Sequence, residues 1–256
     1  MVLTLSSCTW IPKEVPTRLQ TAPSVQENPQ ITELTNLPAL DGPIVTVGVY
    51  SFSDKTGQRK PSENVSSLSS AVTQGAEVWV IDALLQAGNG TWFEVVERTG
   101  MDNVIKERQL IRSTRENYEK DIERNLPALM FAGLILEGGI VGYDSNVTTG
   151  GTGANYMNIG TSTEYRVDTV TVAMRIVSVS TGRVLLSVAT QKTIASYRRS
   201  ADLFQFLDMG TKVLALESGY SANEPTNYAV RAAIEAGVIE VIYEGVRKGL
   251  WNFVSQ

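Results

Sequence analysis

The sequence predicts an α+β protein, in which an α/β-like domain carries two unusual β-hairpins. Strand-like and helix-like segments alternate over residues 44–143, residues 146–220 are strands separated by turn signals, and the chain ends in a long helix with an apolar stripe. Alternation of this kind is typical of an α/β or α+β core. A chain of 256 residues can form one large domain or two modest ones.

The first half of the core begins with residues 44–50, which alternate as a strand does. A polar stretch, 51–70, follows, and loops of that length are usually functional or disordered. The later segments are assigned from their apolar spacing, and 126–136 is predicted to be buried. These predictions are a helix over 70–86, a strand over 92–96, a helix over 101–113, a helical piece over 122–131 and a strand over 134–143.

The second half contains a strand that changes environment. Charged and apolar residues alternate over 164–168, and we interpret the apolar residues at alternate positions over 170–176 as lying on the other parity. A one-residue slip exchanges the two faces of a strand, so this strand is predicted to pass from lipid to a protein core. Ser180-Thr181-Gly182 predicts a hairpin turn. Pro225 suits the first position of a final helix over about 225–250.

Two segments differ from ordinary soluble β-structure. Residues 147–167, with a turn near 158–160, and residues 197–220, with a turn near 208–210, have arms close to the ~9–11 residues of a tilted membrane strand. Tyrosines at strand ends suit membrane interfaces. Exposed soluble ribbons remain the alternative, because the alternation is imperfect. Four strands cannot close a barrel, so membrane hairpins would require a ring of subunits that pool their strands.

The single cysteine, Cys8, follows Leu5-Ser6-Ser7 in the pattern of a lipobox, and small residues are typical of signal-peptidase sites. Residues 1–7 would then be a residual signal peptide, and 8–43, which contains six prolines, a lipidated extended arm. Thr9 fits sorting to the outer membrane, and a stable anchor needs more than one acyl chain. The alternative is a small buried cysteine.

Composition argues against several classes of function. The net charge is −5, and without a basic stripe nucleic-acid binding has little support. The chain has no histidine and one cysteine, which argues against a zinc or iron site and removes the commonest general base. The glycine cluster at 150–153 lacks the lysine of a phosphate-binding loop. We therefore expect no enzyme activity and no cofactor apart from a covalent lipid on Cys8.

A series of short motifs resembles the curli secretion channel, the CsgG family. They occur in the same order and at near-constant spacing, and the resemblance runs from the lipobox to Trp251. The motifs are Asp54-Lys55-Thr56-Gly57-Gln58, Glu97-Arg98-Thr99-Gly100-Met101, Glu107-Arg108, Gly142-Tyr143-Asp144-Ser145-Asn146, Gly150-Gly151-Thr152-Gly153-Ala154-Asn155-Tyr156, Ser180-Thr181-Gly182 and Gly219-Tyr220-Ser221-Ala222-Asn223-Glu224-Pro225.

The resemblance implies a bacterial outer-membrane lipoprotein that forms a nonameric pore. The hairpins, 147–167 and 197–222, would pool into one transmembrane β-barrel. The periplasmic α/β domain, made of 44–146, 168–196 and 223–256, would form a vestibule. Unfolded curlin-type subunits would pass through without nucleotide hydrolysis. A periplasmic capping factor and a surface-assembly factor would bind the channel.

The resemblance also places a pore constriction in the loop 56–70. The family narrows its pore with a ring of Tyr, Asn and Phe, and this chain departs from that pattern. The Phe position falls on Leu68, the Asn position on Ser67 and the Tyr position on Ser62 or Glu63. A smaller apolar ring is therefore expected at Leu68, with Ser62, Glu63, Asn64 and Ser67 around it. Alternatively, Leu68 packs against the following helix.

Alternation in the hairpins predicts which side chains face water and which face lipid. The lumen set is Asn155, Glu164, Arg166, Arg198, Asp202 and Glu217, and the lipid-facing set is Tyr165, Val167, Leu203, Leu214 and Leu216. The leading hypothesis is a passive export channel. The alternative is a periplasmic lipoprotein scaffold that uses the hairpins to dock partners without forming a pore.

Overall fold

The computed structural model describes residues 29–59, 71–118, 126–150, 163–199, 203–208 and 225–254. It has the mixed α+β composition that the sequence predicts. The helices are α1 (Ile31–Thr35), α2 (Glu77–Gln86), α3 (Met101–Tyr118) and α4 (Pro225–Arg247); the strands are β1 (Leu40–Asp41), β2 (Val45–Asp54), β3 (Phe93–Val96), β4 (Leu134–Gly150), β5 (Thr163–Ser178), β6 (Val184–Arg199), β7 (Leu203–Asp208) and β8 (Asn252–Phe253).

The main sheet has six strands in the order β3-β2-β4-β5-β6-β7. β2 pairs in parallel with β3 and β4, and the pairs from β4 to β7 are antiparallel. Parallel pairs need long crossover connections, and α2 and α3 lie within those connections. The antiparallel half needs only tight reversals. One of these is the predicted turn, where the N–H of Gly182, with φ +68°, donates to Ser178 O at 2.8 Å.

The core lies between one face of this sheet and the helices α2 and α4. We call it the helix-covered face. On β5 it carries buried Val170, Val172, Met174 and Ile176. A Cβ at Gly237 of α4 would lie 2.5 Å from the Met174 methyl carbon, so the glycine lets the helix approach the strand closely. The buried residues that α4 contributes are Ala229, Val230, Ala233, Ile234, Val238, Val241 and Ile242.

The sequence analysis placed the start of the folded part of the chain at residue 44. In the structure, folded residues precede that position. Leu34 of α1 is fully buried and Leu37 nearly so. The amide of Gly88 donates to Leu34 O at 2.8 Å, and Trp92 Nε1 donates to Pro38 O at 2.9 Å. β1 also pairs with β8 near the C-terminus. Burial of two leucines therefore overrides the proline-rich composition of this part of the arm.

Two predicted helices differ from the structure. The first begins at Glu77 rather than near residue 70, and the predicted helical piece over 122–131 is wrong for its described part, 126–131. Arg108 NH2 donates to Pro127 O at 2.6 Å and Arg98 NH2 to Met130 O at 2.8 Å. These bonds use backbone carbonyls of a non-helical segment. Phe131 is 85% exposed, which also contradicts the expected burial.

The close packing of β4 against its neighbours makes a prediction. A Cβ at Gly138 would lie closer than 3.0 Å to Ala173 O and to the Phe52 ring. Gly138→Ala should therefore lower the free energy of unfolding by about 1–3 kcal/mol, the usual cost of overpacking. Gly133→Ala is the matched control, since its Cβ would meet only ordinary contacts of 3.5 Å and longer. Equal urea midpoints for both variants would contradict this reading of the packing.

Candidate functional site

Strands β4, β5 and β6 are long, with 17, 16 and 16 residues. Residues 134–143 of β4, 170–178 of β5 and 184–192 of β6 carry the domain core. Beyond these residues the three strands continue together, and β7 pairs with β6 from Ile194 to Arg199. We call the residues 144–150, 163–169, 193–199 and 203–208 the strand extension. It runs for roughly seven residues per strand, or about 23 Å at ~3.3 Å per residue.

The register of the extension determines which residues share a face. Glu164 pairs with Arg198, and the pairing of β5 with β6 has no shift from Glu164 to Ile176. Because the side-chain period of a strand is two, Glu164 and Arg166 lie on the same side as the buried residues of the helix-covered face. The apolar residues of β5 therefore change parity along one continuous strand, without a shift in its pairing with β6. The passage of this strand from lipid to the protein core stays a prediction.

The described members of the predicted lumen and lipid sets lie on paired strands. Glu164 pairs with Arg198, Tyr165 with Tyr197, and Leu203 with Arg199. The contact of either set with water or lipid stays a prediction.

A buried polar group lies where the extension begins. Asp168 is fully buried and accepts a hydrogen bond from Tyr143 Oη on Oδ1 at 3.2 Å. Lys192 of β6 is 4% exposed and lies diagonally across from Asp168 on the same face. Buried charges are costly unless they are hydrogen-bonded or paired. Asp168 and Lys192 are therefore polar groups at the edge of the apolar core.

The loop predicted to form the constriction leaves β2 beside the base of the extension. β2 and β4 are parallel, so both point towards this end of the sheet. Asp54, the last residue of β2, accepts hydrogen bonds on Oδ1 from Thr56 N at 2.8 Å and from Thr56 Oγ1 at 2.7 Å. Asp54 Oδ2 accepts from Gln74 Nε2 at 3.2 Å. The amide of Ala71 donates to Gln58 O at 2.9 Å.

We call residues 54–58 and 71–74 the loop neck. It rests on a glycine pair of β4. A Cβ at Gly139 would clash with Ser53 O and press on the Lys55 side chain at 3.2 Å, so the Lys55 stem lies over this glycine. The Lys55 amide also donates to Ile140 O at 2.9 Å, which continues the strand pairing beyond β2. The departing end of the neck is thus fixed to β4.

A second charged network lies between α1, α2 and α4. Arg231 donates from Nε to Glu235 Oε1 at 3.0 Å and from NH2 to Asp82 Oδ2 at 2.7 Å. The amide of Gln30 donates to Glu235 Oε2 at 2.7 Å. Burial raises the pKa of the Glu235 carboxyl above its usual range, against the lowering effect of Gln30 and Arg231. The network ties the arm to the helices that follow the loop and the second hairpin.

Several predicted site residues lie outside the described residues and stay predictions. They are Cys8, Ser62, Glu63, Asn64, Ser67, Leu68, Asn155, Asp202, Leu214, Leu216 and Glu217. The turn of the first hairpin, near 158–160, also lies outside them. The second hairpin differs from its predicted form. β6 and β7 pair from Arg199 with Leu203 to Ile194 with Asp208, so the chain reverses between Arg199 and Leu203, inside the predicted first arm. The predicted turn near 208–210 extends outside the described residues.

The sequence analysis did not identify three groups of site residues. The Asp54-x-Thr56 pattern is a common local turn signal and was available in the sequence. The spacing of Arg231 and Glu235, four residues apart on an otherwise apolar helix, was also visible. The link from Asp54 to Gln74 had no sequence signal, because it joins residues from opposite ends of a long loop.

The described residues contain no group of three or more residues that could hold a metal ion. No helix in the described ranges is long and apolar enough to cross a membrane.

The fold and the neck together define a class: an α/β domain whose antiparallel strands extend beyond its core, with a long loop rooted at the same end. The family model described as "Curli production assembly/transport component CsgG" matches residues 28–256. The chain therefore belongs to the CsgG family, as its motifs predicted. Members of this family are components of transport and assembly.

Relatives of the same description match along the whole chain. The protein of Escherichia coli strain K12 is 41% identical over 257 residues, with 100% of this chain and 90% of the relative covered. That of Salmonella typhimurium strain LT2 is also 41% identical with the same coverage. The Citrobacter koseri protein is 42% identical over 260 residues, again covering 100% and 90%.

Solved structures give weaker likenesses. A PelC dodecamer from Paraburkholderia phytofirmans aligns with a TM-score of 0.30 and 15% identity, covering 79% of this chain and 91% of that one. Lipoprotein GNA1162 from Neisseria meningitidis aligns with a TM-score of 0.29 and 12% identity, covering 80% and 97%. TM-scores this low carry no argument.

The Glu235 carboxyl makes stability depend on pH. Because its pKa is raised in the native state, that state holds the proton more tightly than the unfolded chain does. This contribution to stability is present below the ordinary pKa of 4.5 and is lost as pH rises through the raised value. Glu235→Gln lacks the titration, so its stability relative to wild type should rise with pH in that window.

The measurement is urea unfolding at a series of pH values from about 4 upwards. Glu240→Gln controls for the loss of one carboxylate from α4, at a side chain that is 45% exposed. A difference between Glu235→Gln and wild type that stays constant with pH would contradict the assignment.

The junction makes a further prediction. Tyr143→Phe removes a donor to the buried Asp168 carboxyl and should lower the free energy of unfolding by about 1–3 kcal/mol. Tyr50→Phe is the matched control, since Tyr50 is 48% exposed and should change stability by less than about 0.5 kcal/mol. Chemical denaturation of both variants tests this, and a neutral Tyr143→Phe would contradict it.

Proposed function

We propose that this chain is the subunit of an outer-membrane secretion channel for unfolded curli-type subunits. The observation that carries the proposal is the strand extension of a CsgG-family chain, which continues β4, β5 and β6 by about 23 Å beyond the core. This length is close to the roughly 25 Å apolar band of an outer-membrane barrel.

One subunit cannot supply a closed barrel, because its few extended strands leave edges with unpaired backbone groups. Such edges are not tolerated in lipid. The proposal therefore requires a homo-oligomeric ring, which we take as a nonamer from the family resemblance. A lipid on Cys8 would anchor the ring to the outer membrane. The α/β domain would lie in the periplasm, where a capping factor and a surface-assembly factor would bind.

The position of the loop neck supports a constriction below the barrel. The neck lies at the end of the sheet from which the extension rises, and Asp54 is the last residue of β2 on that side. A loop of each subunit would project towards the axis. Leu68 would form the narrowest apolar ring, with Ser62, Glu63, Asn64 and Ser67 around it. An opening set by diameter would reject folded protein and pass an extended chain without nucleotide hydrolysis.

Single-channel recording tests this function. The full-length protein, purified in detergent as a ring-sized oligomer, should give large and uniform conductance steps in a planar bilayer. Leu68→Trp should lower the conductance, because a larger side chain at the constriction narrows the conducting path. Val78→Trp is a matched control, since Val78 lies on the exposed side of α2 and is 62% exposed.

The outcomes separate the channel from its alternative. A well-folded ring without conductance would exclude the channel and leave a periplasmic scaffold. Conductance that is the same in Leu68→Trp, Val78→Trp and wild type would retain the channel and refute Leu68 as its constriction.

A further inference from the structure

The carboxylate of Asp54 joins the two ends of the loop predicted to form the constriction. Its Oδ1 binds Thr56, on the departing side, through the backbone amide and the hydroxyl. Its Oδ2 binds the Gln74 side chain, on the returning side, twenty residues away in sequence. A local turn would explain the contacts to Thr56 alone. It does not explain the contact to Gln74.

Two hydrogen bonds cross the neck at different positions. The first is the backbone bond from Ala71 N to Gln58 O at 2.9 Å, and the second is the side-chain bond from Gln74 to Asp54. A single bond between two chain segments leaves them free to pivot around it. A second bond, displaced along the segments, removes that freedom. The pair therefore fixes the direction in which the loop leaves the domain.

Both sides of this clamp are attached to rigid parts of the fold. On the departing side the Lys55 amide is bonded to Ile140 O, so Asp54 is held against β4. On the returning side Ala71 and Val72 are buried in the core, and Gln74 Nε2 is also within 3.3 Å of Val72 O. Hydrogen bonds to an ionised carboxylate are stronger than those between neutral groups. The clamp is thus anchored at both ends.

We propose that Asp54 is a positioning residue for the pore: by bonding both Thr56 and Gln74 it holds the loop neck closed and so sets the aperture of the constriction. This inference rests on the proposed channel function. Asp54 acts through the loop and is not itself placed in contact with the transported chain.

The test exchanges the donor and acceptor across the neck. Asp54→Asn keeps the shape and one oxygen for Thr56, but turns an amide group towards the Gln74 amide group. Gln74→Glu instead places two carboxylates opposite each other. In the double variant Asp54→Asn/Gln74→Glu the amide donates to the carboxylate, so the bond across the neck is restored with reversed polarity. The donation from Gln74 to Val72 O is lost both in this variant and in Gln74→Glu. Glu94→Gln, at an exposed position of β3, controls for the removal of a carboxylate.

Two readouts are needed, one local and one functional. Losing a hydrogen bond to a charged group shifts an opening equilibrium by about 10- to 100-fold, so hydrogen exchange of the Ala71 amide should accelerate by at least about 10-fold in each single variant. In single-channel recordings each single variant should show a changed mean open current and more open-state noise. The double variant should approach wild type in both measurements, and Glu94→Gln should match wild type.

The outcomes decide between the two proposals. If wild type conducts and the single variants have its current and noise, Asp54 does not position the constriction. The same conclusion holds if both single variants change the current and the double variant does not restore it. If the wild-type ring does not conduct, the channel function fails and the pore role of Asp54 fails with it. The Ala71 exchange rates then still report whether the clamp closes the neck.

Discussion

The structure depends on the continuity of β5, which belongs to the domain core at one end and to the strand extension at the other. Its register with β6 is unbroken from Glu164 to Ile176. A strand presents every second residue to the same side, so the face that packs on α4 is also the face that carries Glu164 and Arg166. The domain therefore cannot rotate about the extension without breaking this pairing.

The buried carboxyl of Asp168 lies where β5 passes from the domain core into the strand extension. Below it, the face is apolar and is covered by α4. A carboxylate bonded to Tyr143 at this boundary satisfies part of its hydrogen-bonding capacity within the protein, which lowers the cost of burying it. Asp168 therefore lies at the end of the apolar core along β5.

The helices connect the predicted constriction loop, the second hairpin and the arm to the same core. α2 follows the predicted constriction loop, and α4 follows the second hairpin, while α1 belongs to the arm. Arg231 and Glu235 join the three helices through Asp82 and the Gln30 amide. A shift of the arm therefore acts on a buried charged network between the two helices. On the β4 side, the close packing of Lys55 on Gly139 fixes the loop neck.

The sequence by itself determined the α+β class, the hairpin turn at Gly182, the start of the final helix at Pro225 and, through its motifs, the family. These depend on residue periodicity, on backbone preferences and on local motif order, which are readable along the chain. It misjudged residues 126–131, whose apolar composition resembles a buried helix. Contacts with Arg98 and Arg108, distant in sequence, hold that segment in another form.

Only the tertiary structure decided which residues share a face, how the arm enters the core and what closes the loop neck. The continuity of β5 became clear from its pairing with β6, since apolar content alone cannot show whether the register shifts within a strand. Glu235 binds the Gln30 amide across 205 residues of chain, and Asp54 binds Gln74 across 20. Such contacts arise because folding brings distant polar groups together, and no local pattern encodes that proximity.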